Sequence, residues 1–249
     1  MENQKITSFL RNTSTVAALV AASTAATAFL APSASAVSLV PQEETEIDVG
    51  LGCLDGTKCL TDLTPYLIQS IVSETDSTTT TKSRLFVDNL LTANIYGSVF
   101  LAAGDAGTNP AGYWFRPSEN GNPVEETGQL EVGTYTFTFT DIIPELKIAY
   151  FDAEGLGADE TKVLATNGTL ISGINPVPSG PNGNIQYQTW ANVKTITLKL
   201  GKDTLSGTGD GVDFQLEAAA VPEPGAGVGL GALALMGIWG LRKRNKNVG

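Results

Sequence analysis

At 249 residues the chain is long enough for one folded domain with a real core. Its 15 Lys plus Arg against 26 Asp plus Glu, a formal charge of −11, argue against nucleic acid or anionic lipid as direct partners. There is no histidine, which removes the commonest general base, the usual zinc and copper ligand, and the ordinary serine–histidine and cysteine–histidine catalytic pairs.

The first segment reads as an export signal. Lys5 and Arg11 precede an Ala-rich apolar stretch, Val16 to Leu30, and Ala34-Ser35-Ala36 supplies the small residues a signal peptidase requires. Residues 1–36 are therefore expected to be removed as a signal peptide, leaving Val37 as the first mature residue. Almost all of the acid lies between 37 and 224, so the exported part is more acidic than the whole chain. Cys53 and Cys59 flank an Asp55-Gly56 turn signal. In an exported chain such a close, even pair predicts a disulfide closing a small loop, since a redox or metal pair would want tighter spacing or further ligands.

Beyond the cysteines the pattern is one of strands. Residues 65–72 read either as a short helix opened by Thr64 and Pro65 or as a strand through Tyr66-Leu67-Ile68, with the balance toward strand. Residues 73–81, nearly all threonine and acid, read as a polar loop or hairpin tip. Strands are expected near 84–91, 94–102 and 112–116. In Thr134 to Thr140, Tyr135, Phe137 and Phe139 alternate with threonines, the signature of a half-buried strand. The period-two pattern returns at Leu146, Ile148 and Tyr150, at Ile196, Leu198 and Leu200, and at Val212, Phe214 and Leu216, with further strands near 162–165 and 185–190. Asn120-Gly121, Asn167-Gly168, Asn182-Gly183 and Asp210-Gly211 mark turns between them. The alternation changes phase at Gly133, which predicts a bulge or sharp bend there. Many short strands with almost no helical periodicity predict an all-β fold, an antiparallel β-sandwich, jelly-roll-like or similar, over residues 37–220.

Three chemistries are available to such a domain. Asp203, Asp210 and Asp213 bracket a glycine-rich turn, as Asp152, Glu154, Asp159 and Glu160 do elsewhere, and clustered loop carboxylates suit calcium. Their spacing matches no standard calcium loop, and solvated turn chemistry is the simpler reading. Glu125 with Glu126, or Glu154 with Glu160, are the candidates for a glycosidase acid and base. The consecutive Tyr113, Trp114 and Phe115, together with Trp190, offer rings for stacking on sugars if any face outward, although core packing is the default for such residues.

The C-terminus carries the most specific pattern. Val221-Pro222-Glu223-Pro224 is followed by an apolar run from Gly225 to Leu241, then Arg242-Lys243-Arg244 and Lys246. That run is at the short end of what crosses a bilayer, and the basic cluster should stop it with the chain before it outside. Residues 221–249 are thus expected to form a tag (221–224), a single transmembrane helix (225–241) and a basic tail (242–249).

This order of tag, span and basic tail resembles the PEP-CTERM sorting system of exopolysaccharide-producing bacteria. The resemblance implies that an exosortase-type enzyme recognises the Pro-Glu-Pro tag and removes or exchanges the tail, so that membrane attachment is transient. Leu130-Glu131-Val132-Gly133, with Tyr113 to Pro117 upstream and Gly207 to Phe214 downstream, is similar to the cyanobacterial LEVG family of PEP-CTERM proteins. That likeness implies an exported domain with no catalytic residues to carry over. The expectation is a non-catalytic, exported envelope or extracellular-matrix protein with a structural or adhesive role and no cofactor. The alternatives are a carbohydrate-binding or calcium-dependent adhesion module and, behind it, a carboxylate glycoside hydrolase. Expected partners are the exosortase, the membrane and extracellular polysaccharide.

Overall fold

A computed structural model describes residues 36–77, 80–89, 92–97, 111–118, 120, 131–154, 161–202 and 211–219. These are almost entirely β-structure, with two 3-10 turns and no α-helix among them. The strands are β1 (Val37–Ser38), β2 (Thr45–Ile47), β3 (Cys59–Leu60), β4 (Ile68–Ser73), β5 (Arg84–Asp88), β6 (Trp114–Ser118), β7 (Gly133–Phe151), β8 (Lys162–Thr166), β9 (Thr169–Ser172), β10 (Ile185–Leu200) and β11 (Asp213–Ala218). They form one hydrogen-bonded sheet in the order β3-β2-β5-β6-β11-β7-β10-β8, to which β1 adds on β11, β4 on β7 and β9 on β10. The sheet is mixed, because β2 and β3 run parallel. The expected all-β class holds, but the strands make one continuous sheet where two separate antiparallel sheets were expected.

The physical reason is the length of β7 and β10. They pair antiparallel from Gly133 opposite Leu200 to Phe151 opposite Ile185, long enough to serve both arms of the sheet. The first half of β7 carries β4 on its free side and the second half carries β11. Between the halves the register shifts: Thr195 faces Thr138 but Val193 faces Ile143, so residues 139–142 of β7 bulge opposite the single residue Lys194. Phe137, from the first half, contacts Phe115 and Phe214 of the other arm, each with ring centroids 5.8 Å apart. The inward side chains of both arms therefore share one core, which includes Tyr135, Phe139, Ile148, Tyr150, Ile196 and Leu198.

Asn167 and Gly168 fix the bend from the neighbouring strand. The Asn167 carboxamide oxygen accepts hydrogen bonds from the backbone amides of Lys194 and Thr195, both at 2.9 Å. Asn192 adopts the left-handed region at φ 58°, a conformation that asparagine tolerates better than most residues. Lys194 then reaches over to donate to the Thr140 carbonyl at 2.7 Å. Because β8 and β9 pair with β10 on either side of this bend, they behave as one edge interrupted there. A Cβ on Gly168 would lie 2.6 Å from Val193 Cγ2 and 2.9 Å from the Ala191 carbonyl. Gly168→Ala is accordingly expected to destabilise the fold by about 1–3 kcal/mol. Gly56→Ala, whose added carbon meets nothing within 4 Å, should be nearly neutral in the same urea titration. Equal midpoints for the two variants would refute this account of the bend.

Several local expectations are corrected. Gly133 is not a bulge: it begins β7, in unbroken register with Leu200. Glycine suits this position because the Tyr135 ring lies across it, within 2.5 Å of where a Cβ would stand, on its way to the Arg84 carbonyl. Residues 64–66 form a 3-10 turn ending in Leu67 at φ 58°, and only then does β4 begin, so both readings of 65–72 held in part. Residues 94–97 make a turn where a strand was expected, with the Tyr96 amide donating to Asn94 Oδ1 at 2.8 Å. At the start of the domain β1 lies against the end of β11, Val37 opposite Ala218 and Ser38 opposite Glu217.

Candidate functional site

Strand register lines up side chains on the outer face of the sheet. From β3 the row runs Cys59, Glu46, Phe86 and Arg116. It continues past the Phe115–Phe214 pair through Asp213 and Phe151 to Ile185. An outer face is ordinarily wet, yet Glu46, Phe86, Arg116, Asp213 and Phe151 are all buried. Charged groups in a dry row must be paired or hydrogen-bonded.

At the β3 end of the row they are. Glu46 Oε1 accepts from Arg84 Nη1 at 2.7 Å, while Oε2 accepts from the Leu54 amide at 2.8 Å and the Tyr96 hydroxyl at 2.5 Å. Arg84 Nη1 also donates to the Gly52 carbonyl at 2.8 Å. Burial first, then the Glu46 carboxylate, pushes Tyr96 up to about 12, so the phenol remains a donor at ordinary pH. Cys53 and Cys59 are disulfide-bonded, with Cα atoms 5.8 Å apart. Asp55 caps the 3-10 turn inside this loop through the Thr57 hydroxyl and amide, which hold its carboxyl below the usual range. Lys58 donates to the Ile95 carbonyl at 2.9 Å and lies over the Tyr96 ring. The loop is thus stapled covalently at its neck and by hydrogen bonds on two sides.

Toward the middle of the row the pairing is looser. Arg116 and Asp213, both fully buried, stand 3.8 Å apart. Asp152 caps the far end of β7 at φ 63°, where its carboxylate accepts from the Gly183 amide at 2.6 Å.

The structure rearranges the chemistry expected of these residues. Asp213 is an interior strand residue facing Arg116, which makes it a poor calcium ligand; Asp203 and Asp210 lie outside the described residues. Among the described residues no three acidic or sulfur side chains converge as a metal site. Glu125, Glu126, Asp159 and Glu160 also lie outside them, so neither carboxylate pair can be placed. Trp114 and Phe115 are buried, as is Trp190, and Tyr113 is half-buried. Trp114 packs on Phe151, and the Trp190 ring nitrogen donates to Gln188 at 3.2 Å. An all-β sheet with both faces covered buries consecutive aromatics on either side of one strand, so none of the three large rings is left on the surface. Among the described residues the exposed ring is Tyr187, half-exposed beneath the Lys147 ammonium, which in turn pairs with Glu217 at 3.3 Å.

The glycosidase and calcium constellations thus fall largely outside the described residues, the large rings expected to stack are buried, and Glu46, Arg84 and Arg116 were not singled out in the sequence as site residues at all. No helix among the described residues is long and apolar enough to cross a membrane. Residues 1–35, including Ala34, and the segment 221–249 with its tag, span and Arg242, Lys243 and Arg244 lie outside the described residues. No curated protein and no solved structure matches the chain, so nothing supports the LEVG likeness beyond its own residues. One protein-family model does match, described as the PEP-CTERM protein-sorting motif, over residues 220–244. The functional address of this chain is therefore its C-terminal segment, which carries a PEP-CTERM protein-sorting motif.

Proposed function

We propose that the chain is an exported, exosortase-sorted protein of the cell envelope or extracellular matrix, whose β-domain serves a structural or adhesive role without catalysis. The observation that carries this reading is the sorting motif at 220–244. The signal-peptide pattern ending at Ala34 and Ala36 supports export, and a disulfide at Cys53 and Cys59 suits an oxidising compartment. The absence of histidine from the sequence supports a non-catalytic role. In this reading residues 1–36 are removed, residues 37–220 form a sandwich-like domain from one bent sheet, and residues 225–241 hold the chain in the membrane only until processing. The acidic surface then keeps neighbouring copies apart in a crowded polysaccharide layer.

Prolines on both sides of Glu223 stiffen the tag and favour extended backbone, which suits its presentation in an enzyme cleft beside the bilayer. Val221, Pro222, Glu223 and Pro224 are the residues assigned to recognition. C-terminal mass spectrometry of the mature protein is expected to find the chain ending at or near Pro224, and Glu223→Ala should strand unprocessed chain in the membrane. A mature wild-type form that still carries Arg242-Lys243-Arg244 would reduce the segment to an ordinary anchor and defeat the proposal.

A further inference from the structure

The outer row of side chains meets the thinnest joint of the sheet where β6 faces β11. Among the described residues these two strands register through one pair, Phe115 opposite Phe214. By contrast β11 runs beside β7 from Asp213–Phe151 to Ala218–Leu146. Gln215 adds a side-chain hydrogen bond across the joint, donating to the Tyr113 carbonyl at 2.8 Å. Next to the phenylalanine pair come Arg116 Nη1 and Asp213 Oδ2, 3.8 Å apart with both side chains fully buried. That separation is too long for a hydrogen bond. Neither oxygen of Asp213 accepts a hydrogen bond among the described residues.

A buried carboxylate in this position is costly when ionised. Among the described residues the charged groups around it come from three elements. Arg116 on β6 favours the ionised form, and Asp152, just past β7, disfavours it. Asp88, buried on β5, is one strand beyond β6, opposite Trp114. β1 reaches only the other end of β11 and brings Val37 and Ser38, which carry no charge. A proton relieves this arrangement better than a metal ion. Calcium wants six to eight oxygens, no three acidic or sulfur groups converge here among the described residues, and Arg116 would repel a second cation.

We propose that Asp213, buried beside Arg116 with no hydrogen bond to either carboxylate oxygen among the described residues, is a proton-binding switch at the β6–β11 joint that stabilises the fold on mild acidification. The neutral carboxyl removes the burial cost of the charge and the repulsion with Asp152, against the loss of the attraction to Arg116. Burial, opposed by Arg116 and reinforced by Asp152, pushes Asp213 up to about 6 from an ordinary 3.8. The folded state therefore holds this proton more tightly than the unfolded chain does. Its contribution to stability is present in full below the ordinary value, is lost as pH rises toward about 6, and is flat above that.

The test compares the full-length protein with Asp213→Asn, a neutral isostere, by urea unfolding at about pH 5 and about pH 7.5. Relative to the variant, the wild-type folding equilibrium constant should rise roughly tenfold at the lower pH. Hydrogen exchange, corrected for its intrinsic pH dependence, should slow at 113–118 and 211–216 in the wild type alone. Parallel responses of the two proteins to pH would overturn the switch. Should Asp213→Asn fail to fold, carbon-detected titration of the Asp213 carboxyl in the wild type decides the matter. An inflection between about pH 5 and about pH 7 supports the proposal, and a carboxyl still ionised at about pH 4 refutes it.

Discussion

Glu46→Ala is expected to lower the unfolding free energy by about 3 kcal/mol, because it leaves the Arg84 guanidinium, the Leu54 amide and the Tyr96 hydroxyl without their common acceptor. The loss should fall short of the largest values for buried pairs, since the Arg84 side chain keeps 13% of its exposure and can turn partly to water. Glu46→Gln retains an oxygen acceptor but not the charge, and should cost about half as much. Urea unfolding of both variants under non-reducing conditions gives the comparison. With the disulfide intact, a loss below about 1 kcal/mol for the alanine variant would mean that Cys53–Cys59 alone anchors the loop. The hydrogen bonds would then be incidental.

Phe137→Ala should be comparably severe, costing about 3–5 kcal/mol, through a different mechanism. Its ring is fully buried and touches Phe115, Phe139 and Phe214, two of which belong to the opposite arm of the sheet. Removing it opens a cavity between arms that are tied to one another by β7 and β10 and cannot simply collapse. Phe86 is equally buried but lies on the outer face, with Tyr96 packed edge-on at 6.1 Å. Phe86→Ala is the control, and its smaller expected loss follows from its place outside the core that the two arms share. If the two truncations cost the same in a thermal-unfolding series, the shared core between the arms is not what holds them.

Much of the sheet was legible because alternation reports which side of a strand a residue faces. Tyr135, Phe137 and Phe139, then Ile196, Leu198 and Leu200, point inward as the pattern requires, and all are buried. Alternation does not report whether the opposite side is wet. Asp213 alternates with apolar neighbours and so reads as a solvent residue or a loop ligand, yet its face of the sheet is covered. Arg116, beside Pro117, gave no signal of burial for the same reason. The bend was missed because its cause is distant in sequence: Asn167 reads as a turn former, and nothing local reveals that its carboxamide holds Lys194 and Thr195. Gly133 misled in the opposite sense, since a glycine inside an alternating run signals a bulge when its real office is to make room for the ring two residues on.

The placement of β11 has a mechanical meaning. Ala219, the last described residue, directly follows an interior strand, flanked by β7 and, at its last residues, by β1. The Ala219 amide itself donates to the Glu145 carbonyl at 3.0 Å. A pull on the downstream chain, directed along β11, would load those ladder bonds together in shear, whereas a pull on an edge hairpin opens its bonds one after another. A tether attached there would meet its greatest resistance at the first step, and Val37 and Ser38 would act as the bolt across the exit.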